Sequence, residues 1–264
     1  MRVLVAVPVY NEEKHIQLVL PEIRGKARDV LVVDDGSTDN TPALLRARRD
    51  VTVLTHLENR GYGQSLIDAF DYAARHGYDW VITMDCDGQH DAAQLPNFLC
   101  AIRKDDADVI SGSRYLQTDA SADRPPADRQ NINRLMTELI NSLLALKLTD
   151  SFCGFKAFRV AALEKLNLTI SGYAFPMQFW VQAANAGLRI REIPVRLIYN
   201  DLNRHFGGEL DNPAVRLAHY IEVLSEEIRA AARTVRRNAS RHGDAAAFTN
   251  PAWDAEWQHL CSDH

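Results

Sequence analysis

The sequence predicts an α/β fold, a mostly parallel sheet flanked by helices with a helical C-terminal extension. Three observations carry this. Short apolar runs alternate with helical stretches four times before residue 85, the rhythm of βαβ units. The first run is valine-rich and unbroken by polar residues, as in a strand buried on both faces. Three of the strand ends carry polar residues, and in an open α/β sheet ligands sit just outside the carboxyl ends of the strands.

Residues 2–9 (RVLVAVPV) form the first strand, closed by Pro8. Tyr10-Asn11-Glu12-Glu13 then opens a helix to about Ile23. Residues 29–33 (DVLVV) are a second strand, ending in Asp34-Asp35-Gly36-Ser37-Thr38-Asp39-Asn40-Thr41, an acidic strand end followed by turn and N-cap residues. A helix over 41–48 leads to a strand at 51–55. Asn59-Arg60-Gly61-Tyr62-Gly63 is a glycine-bearing turn that starts a helix to about His76. A strand over 79–84 reaches Asp85, and a helix over 92–104 and a strand at 108–111 continue the pattern.

The pattern then changes. Residues 117–128 are polar and proline-bearing, hence a loop. From Arg129 to Leu148 the chain reads as an amphipathic helix whose Leu/Ile stripe is more often core than membrane-facing. Residues 150–158 (DSFCGFKAF) are compact, aromatic and broken by glycine. A helix at 174–186, a strand at 189–199, a loop at 200–212 and a long helix from Pro213 to about Asn238 complete the chain. The boundary falls between a domain at 1–212 and an extension at 213–264 that ends in a polar tail.

The candidate chemistry centres on Thr83-Met84-Asp85-Cys86-Asp87-Gly88-Gln89-His90. An apolar run stops at two carboxylates one residue apart. Asp85, Asp87 and the amide oxygen of Gln89 are hard ligands of the kind that hold Mg²⁺ or Mn²⁺ beside substrate phosphates. A solvated, Asp-rich capping turn fits the same residues. His90 reads as a turn residue and Cys153 as a small buried one.

Composition excludes some classes. A net charge of −5 argues against a nucleic-acid binder. Four cysteines without a C-x-x-C pair read as reduced thiols of a cytosolic protein. No apolar stretch reaches the ~18 residues of a membrane span, and Met1-Arg2 runs straight into a strand, so no signal peptide is expected.

Six blocks, in order, are VPVYNEE at 7–13, VVDDGSTDNT at 32–41, NRGYGQSL at 59–66, MDCDGQH at 84–90, SGSRY at 111–115 and DSFCGFKAFR at 150–159. Together they resemble the family-2 glycosyltransferases of GT-A fold, in the branch of the dolichyl- and polyprenyl-phosphate sugar (mannose) synthases. The resemblance implies a GDP- or UDP-sugar donor, with Pro8, Tyr10, Glu12 and Asp35 at base and ribose, and Asp34 contributing. It places Asp85 at the donor, and Asp87 and Gln89 on a Mg²⁺ or Mn²⁺ ion. It sets Arg114, Arg129 and Arg204 around an acceptor phosphate, where a planar guanidinium binds bidentately. Arg134 would supplement them, and reads equally as a solvated helix charge. Asp85, Asp87 and Arg129 are the implied catalytic set.

One departure bears on the acceptor. Where many family members carry a carboxylate, residues 172–180 read GYAFPMQFW, with Gln178 and no acid. A hydroxyl acceptor usually needs a general base, whereas a phosphate monoester is already an anionic nucleophile. The expectation is therefore metal-dependent, inverting transfer to a polyprenyl phosphate by a protein peripheral on the cytoplasmic membrane face. Attachment would run through the 132–146 helix or the arginine-bearing end of the last helix. The alternatives are a family-2 transferase acting on a hydroxyl of a glycan or small molecule, and a non-catalytic nucleotide-sugar-binding module. Sugar, base, lipid length and oligomeric state are not legible.

Overall fold

Strands β1 (Val3–Val9), β2 (Asp29–Asp34), β3 (Thr52–Thr55), β4 (Trp80–Thr83), β5 (Val109–Ser113), β6 (Lys156–Arg159) and β7 (Ile190–Pro194) form one sheet in the order β3-β2-β1-β4-β6-β5-β7. The structure, a computed structural model, describes residues 1–116, 125–196, 198 and 207–242, with side chains described through residue 234. β1 runs parallel to β2 and β4, β2 to β3, and β5 to β7. β6 is inverted, antiparallel between β4 and β5. The chain winds outward from β1 through β2 to β3, then returns to place β4 on the other side of β1. That reversal opens a crevice at the carboxyl ends of β1 and β4.

Side chains alternate across the sheet, and both faces are covered. Leu4, Ala6, Leu31, Val33 and Val81 point to one face, packed under α3 (Tyr62–Arg75), α5 (Ala127–Leu144), α6 (Val160–Leu163), α7 (Phe175–Asn185) and α8 (Pro213–His242). Val5, Val7, Val30, Val32 and Ile82 point to the other, under α1 (Ile16–Arg24), α2 (Thr41–Arg46) and α4 (Leu95–Arg103). Two buried faces explain why these strands read as continuous apolar runs.

In α5, Ile132, Met136, Ile140 and Leu144 recur at four-residue steps and are buried. This face packs in the core, which leaves it unavailable to a membrane. In α8, Tyr220, Val223, Leu224 and Ile228 join the same core, and the helix packs on α7 and α5. No helix among the described residues is long and apolar enough to cross a membrane.

Several elements differ from the sequence reading. The first helix begins at Ile16, because residues 10–15 make a turn in which Asn11 takes a positive φ of 56°. The helix expected to end at Leu148 stops at Leu144, capped by Ala145 in the left-handed region. Residues 156–159 are a strand, and too short a run to show an alternation. The loop expected at 117–128 lies outside the described residues from 117 to 124, as does Tyr199 of the last expected strand.

Candidate functional site

Two loops build the first wall of the crevice by exchanging hydrogen bonds. After β1, Asn11 accepts from the Thr38 amide at 2.8 Å, and the Glu12 amide donates to Thr41 Oγ1 at 2.9 Å. The Glu13 amide donates to Asp39, while the Glu13 carboxylate accepts from the Asn40 amide. Polar residues at these two strand ends thus satisfy one another's backbone groups, as turn backbone must. The Glu12 carboxylate is buried against His15 Nδ1 at 2.7 Å.

The paired aspartates after β2 divide their work. Asp34 is buried, accepts from the Ser37 amide, and does not line the crevice. Asp35 lines the crevice and holds the next loop. Its Oδ1 accepts from the Arg60 amide at 2.8 Å and pairs with His56 Nδ1 at 2.6 Å; its Oδ2 accepts from the Gly61 amide at 2.8 Å. His56 Nε2 lies 2.8 Å from Asp68 but out of line for a hydrogen bond. Gly61 adopts φ +101°, and a Cβ there would meet Ser171 O at 2.4 Å. Only glycine lets this turn pass under the 170–172 segment.

The DCDGQ turn after β4 forms the floor. Asp85 Oδ1 accepts from Tyr62 OH at 3.0 Å, and the Asp85 amide donates to His90 Nδ1 at 3.1 Å. Burial, reinforced by Asp85, pushes the Tyr62 phenol well above its ordinary pKa, so it remains a neutral donor. Tyr62 also stacks on Tyr173, with centroids 5.9 Å apart. Gly154, just before inverted strand β6, lies against the carboxylate: a Cβ there would sit 2.6 Å from Asp85 Oδ2. Asp87 is buried, and its Oδ1 accepts from the Gln89 amide at 2.9 Å. Among the described residues no cluster of three or more His, Cys, Asp or Glu side chains is poised to enclose a metal. Yet Asp85, Asp87 and Gln89 all line the crevice from one turn. Two carboxylates and an amide, open toward a substrate, fit a hard divalent ion that completes its shell with phosphate and water.

The opposite wall is basic and aromatic. Arg114 reaches the crevice, but Nε and Nη2 grip Asp150 at 2.6 and 2.9 Å, so the fork expected for a phosphate is engaged by a buried carboxylate. Asp150 is fully buried. Burial would raise its pKa, but the Arg114 charge and hydrogen bonds hold it well below the carboxylate range. Asn133 and the amides of Phe152 and Cys153 also donate to it. Arg129, in the first turn of α5, lines the crevice with Phe152, Tyr173, Arg216 and Tyr220. Arg134 does not: it is 68% exposed and faces Glu138 at 3.6 Å. Arg204 lies outside the described residues. Gln178 is buried away from the crevice, accepting from the amides of Thr169 and Ile170. The whole crevice encloses about 710 Å³.

Residues 4–167 match the profile of Glycosyl transferase family 2. The chain belongs to this family. It is an enzyme of the glycosyltransferase class, on a GT-A fold. An undecaprenyl-phosphate mannosyltransferase from Micrococcus luteus is 33% identical to it over 83% of this chain and 94% of its own. A polyprenol monophosphomannose synthase from Mycolicibacterium smegmatis is 31% identical over 76% and 79%. Among solved structures, glucosyl-3-phosphoglycerate synthase from Mycobacterium tuberculosis superposes with TM-score 0.65 at 17% identity, over 86% of this chain and 79% of that one. That likeness concerns the fold. The neighbour was crystallised with Mn²⁺, UDP and its product.

Sequence reading of this glycosyltransferase missed Tyr62, Asp150, Phe152, Tyr173, Arg216 and Tyr220. Tyr62 and Asp150 stand inside blocks already singled out, so an aromatic in a glycine turn and an acid before an apolar run were the available signals. Arg216 had none, being one arginine in a helix with several.

Proposed function

We propose that this enzyme transfers a sugar from a GDP- or UDP-sugar to a polyprenyl phosphate, with Mg²⁺ or Mn²⁺ held by Asp85, Asp87 and Gln89. One observation carries the reading. Among the described residues, every acid lining the crevice comes from the ends of β1, β2 and β4, while the α5–α8 side contributes arginines and aromatics. The 172–180 segment gives the lining Tyr173 and Pro176 and no carboxylate. A site so divided suits a metal-bound diphosphate on one side and an anionic nucleophile on the other. The names of both relatives above support a polyprenyl acceptor.

The chemistry balances without a general base. An oxygen of the acceptor phosphate forms a bond to the anomeric carbon as the bond to the diphosphate oxygen breaks, and the electron pair leaves with the nucleoside diphosphate. A single displacement inverts the anomeric centre. A divalent ion, when bound, neutralises charge on the leaving diphosphate. Asp87 and Gln89 would hold the ion, and Asp85, aligned by Tyr62 OH, would face the donor. Asp35 shapes the wall for base and ribose by fastening the Arg60–Gly61 turn. Arg129 orients the acceptor phosphate.

The lipid lies in a membrane, so we read the protein as peripheral on its cytoplasmic face. With Ile132, Met136, Ile140 and Leu144 of α5 in the core and Leu135 alone of that stripe exposed among the described residues, α8 is the stronger attachment element. Val215 and Ile221 on its first turns are exposed, as are Arg229 and Arg233 further along. The test is a donor screen with polyprenyl phosphate in anionic liposomes and Mn²⁺, reading released nucleotide and co-flotation of the protein. Arg129→Lys, which exchanges a planar fork for a point charge, is expected to raise the acceptor KM about tenfold, the scale of one charge-assisted hydrogen bond, with donor affinity unchanged. Turnover of hydroxyl acceptors alone would defeat the reading. Asp35→Ala is expected to weaken nucleotide binding by roughly 1–3 kcal/mol. Unaltered affinity by calorimetry would remove Asp35 from the nucleotide wall.

A further inference from the structure

We infer that Arg216, on the first turn of α8, is a positioning residue for the acceptor, because its buried guanidinium ties the start of α5, which presents Arg129 to the crevice, to the turn just before α8. This rests on the basic wall being the acceptor side of the crevice. Arg216 lines the crevice and is only 3% exposed. Nη2 donates to Asp128 Oδ2 at 2.8 Å, and Nη1 donates to Leu210 O at 2.8 Å. Asp128 immediately precedes Arg129 in the first turn of α5. Leu210 sits in the short 3-10 turn Gly208–Asp211, just before α8. A guanidinium reaches two acceptors in different directions from one rigid plane, which an ammonium on a flexible stem does not reproduce.

Tyr220, one turn further on the same face, closes the arrangement. It is buried and tilts against Phe152 at 5.0 Å. Burial pushes its hydroxyl up to about 12, against the pull of Arg216 and Arg129, so it stays a neutral phenol. α8 therefore brings a charge and an aromatic to the crevice itself, and its first two turns are a wall of the acceptor site.

The test uses the enzyme and two variants that cut the same link from opposite ends, Arg216→Lys and Asp128→Ala. Asp128 is 40% exposed, so its alanine variant is expected to fold even if burial makes Arg216→Lys fragile. Each single variant is expected to raise the acceptor KM about tenfold, with the donor nucleotide Kd and the melting temperature close to wild type. The double variant should be no worse than the worse single one, since both remove one coupling. An acceptor KM within about twofold of wild type in Asp128→Ala would overturn the inference. So would a parallel loss of donor and acceptor affinity with a lowered Tm, which marks a purely structural pair. If the wild type turns over hydroxyl compounds and no polyprenyl phosphate, the proposed function fails. The same KM-against-Kd split, measured on that acceptor, then decides Arg216 separately.

Discussion

Asp87→Ala is expected to lower kcat on the order of 10³-fold and to abolish the Mn²⁺-dependent tightening of nucleoside diphosphate. The reason lies in the place of the carboxylate. It is buried at the end of β4, in the turn that also carries Asp85 and Gln89 to the crevice. A metal at a developing diphosphate contributes several kcal/mol, and about 1.4 kcal/mol is tenfold in rate. Asp87 also accepts the Gln89 amide at 2.9 Å, so Ala removes a turn bond along with the charge. Asp87→Asn separates the two effects, because it keeps an acceptor and loses the charge. Both variants should be equally inactive while their circular dichroism stays native. Full activity of Asp87→Ala in EDTA would remove the metal from the mechanism.

Asp150→Ala is expected to destabilise the protein by about 3–5 kcal/mol, the usual loss when one partner of a buried ion pair is removed. Asp150 is fully buried, and its carboxylate answers Arg114, Asn133 and two backbone amides of the turn that leads to Gly154. Without it, a largely buried guanidinium and four further donors, the Arg114 amide among them, lose their acceptor. The pairing also sets a pH dependence. Because Asp150 titrates below its unfolded value, its contribution is complete above about pH 4, the ordinary carboxylate pKa. It is lost as the pH falls from there through the folded value. Denaturant melts of wild type and Asp150→Asn at pH 7 and pH 3 check this. The gap between them should narrow in acid, and a gap that widens would show that the pair does not carry the stability.

The effect should reach the site as well as the fold. Gly154 packs against the Asp85 carboxylate, and Arg114 lines the crevice. An Asp150 variant that still folds is therefore expected to lose activity through both walls.

The sequence by itself determined the parallel sheet, the crevice at its carboxyl edge and the family. Apolar runs bounded by turns are local signals. Residues that end successive parallel strands must meet at one edge, so Glu12, Asp35, Asp85, Asp87 and Gln89 could be gathered without coordinates. The turn at Asn59–Gly63 was legible from its glycines, and the structure adds that Gly61 takes a positive φ there. Tertiary structure alone decided the rest. The inverted strand β6 is four residues long, too short for a periodicity, and its place between β4 and β5 depends on hydrogen bonds with distant partners. The division of labour between Asp34 and Asp35 turns on which carboxylate faces the Arg60–Gly61 turn, and sequence adjacency does not reveal it. Arginine carries its charge at the end of a long chain, so its position along a helix says little about its partner. Arg114 went to a buried Asp150, Arg134 to solvent, and Arg216 inward to Asp128. Which cation faces a ligand is settled by the carboxylates that the fold brings within reach of it.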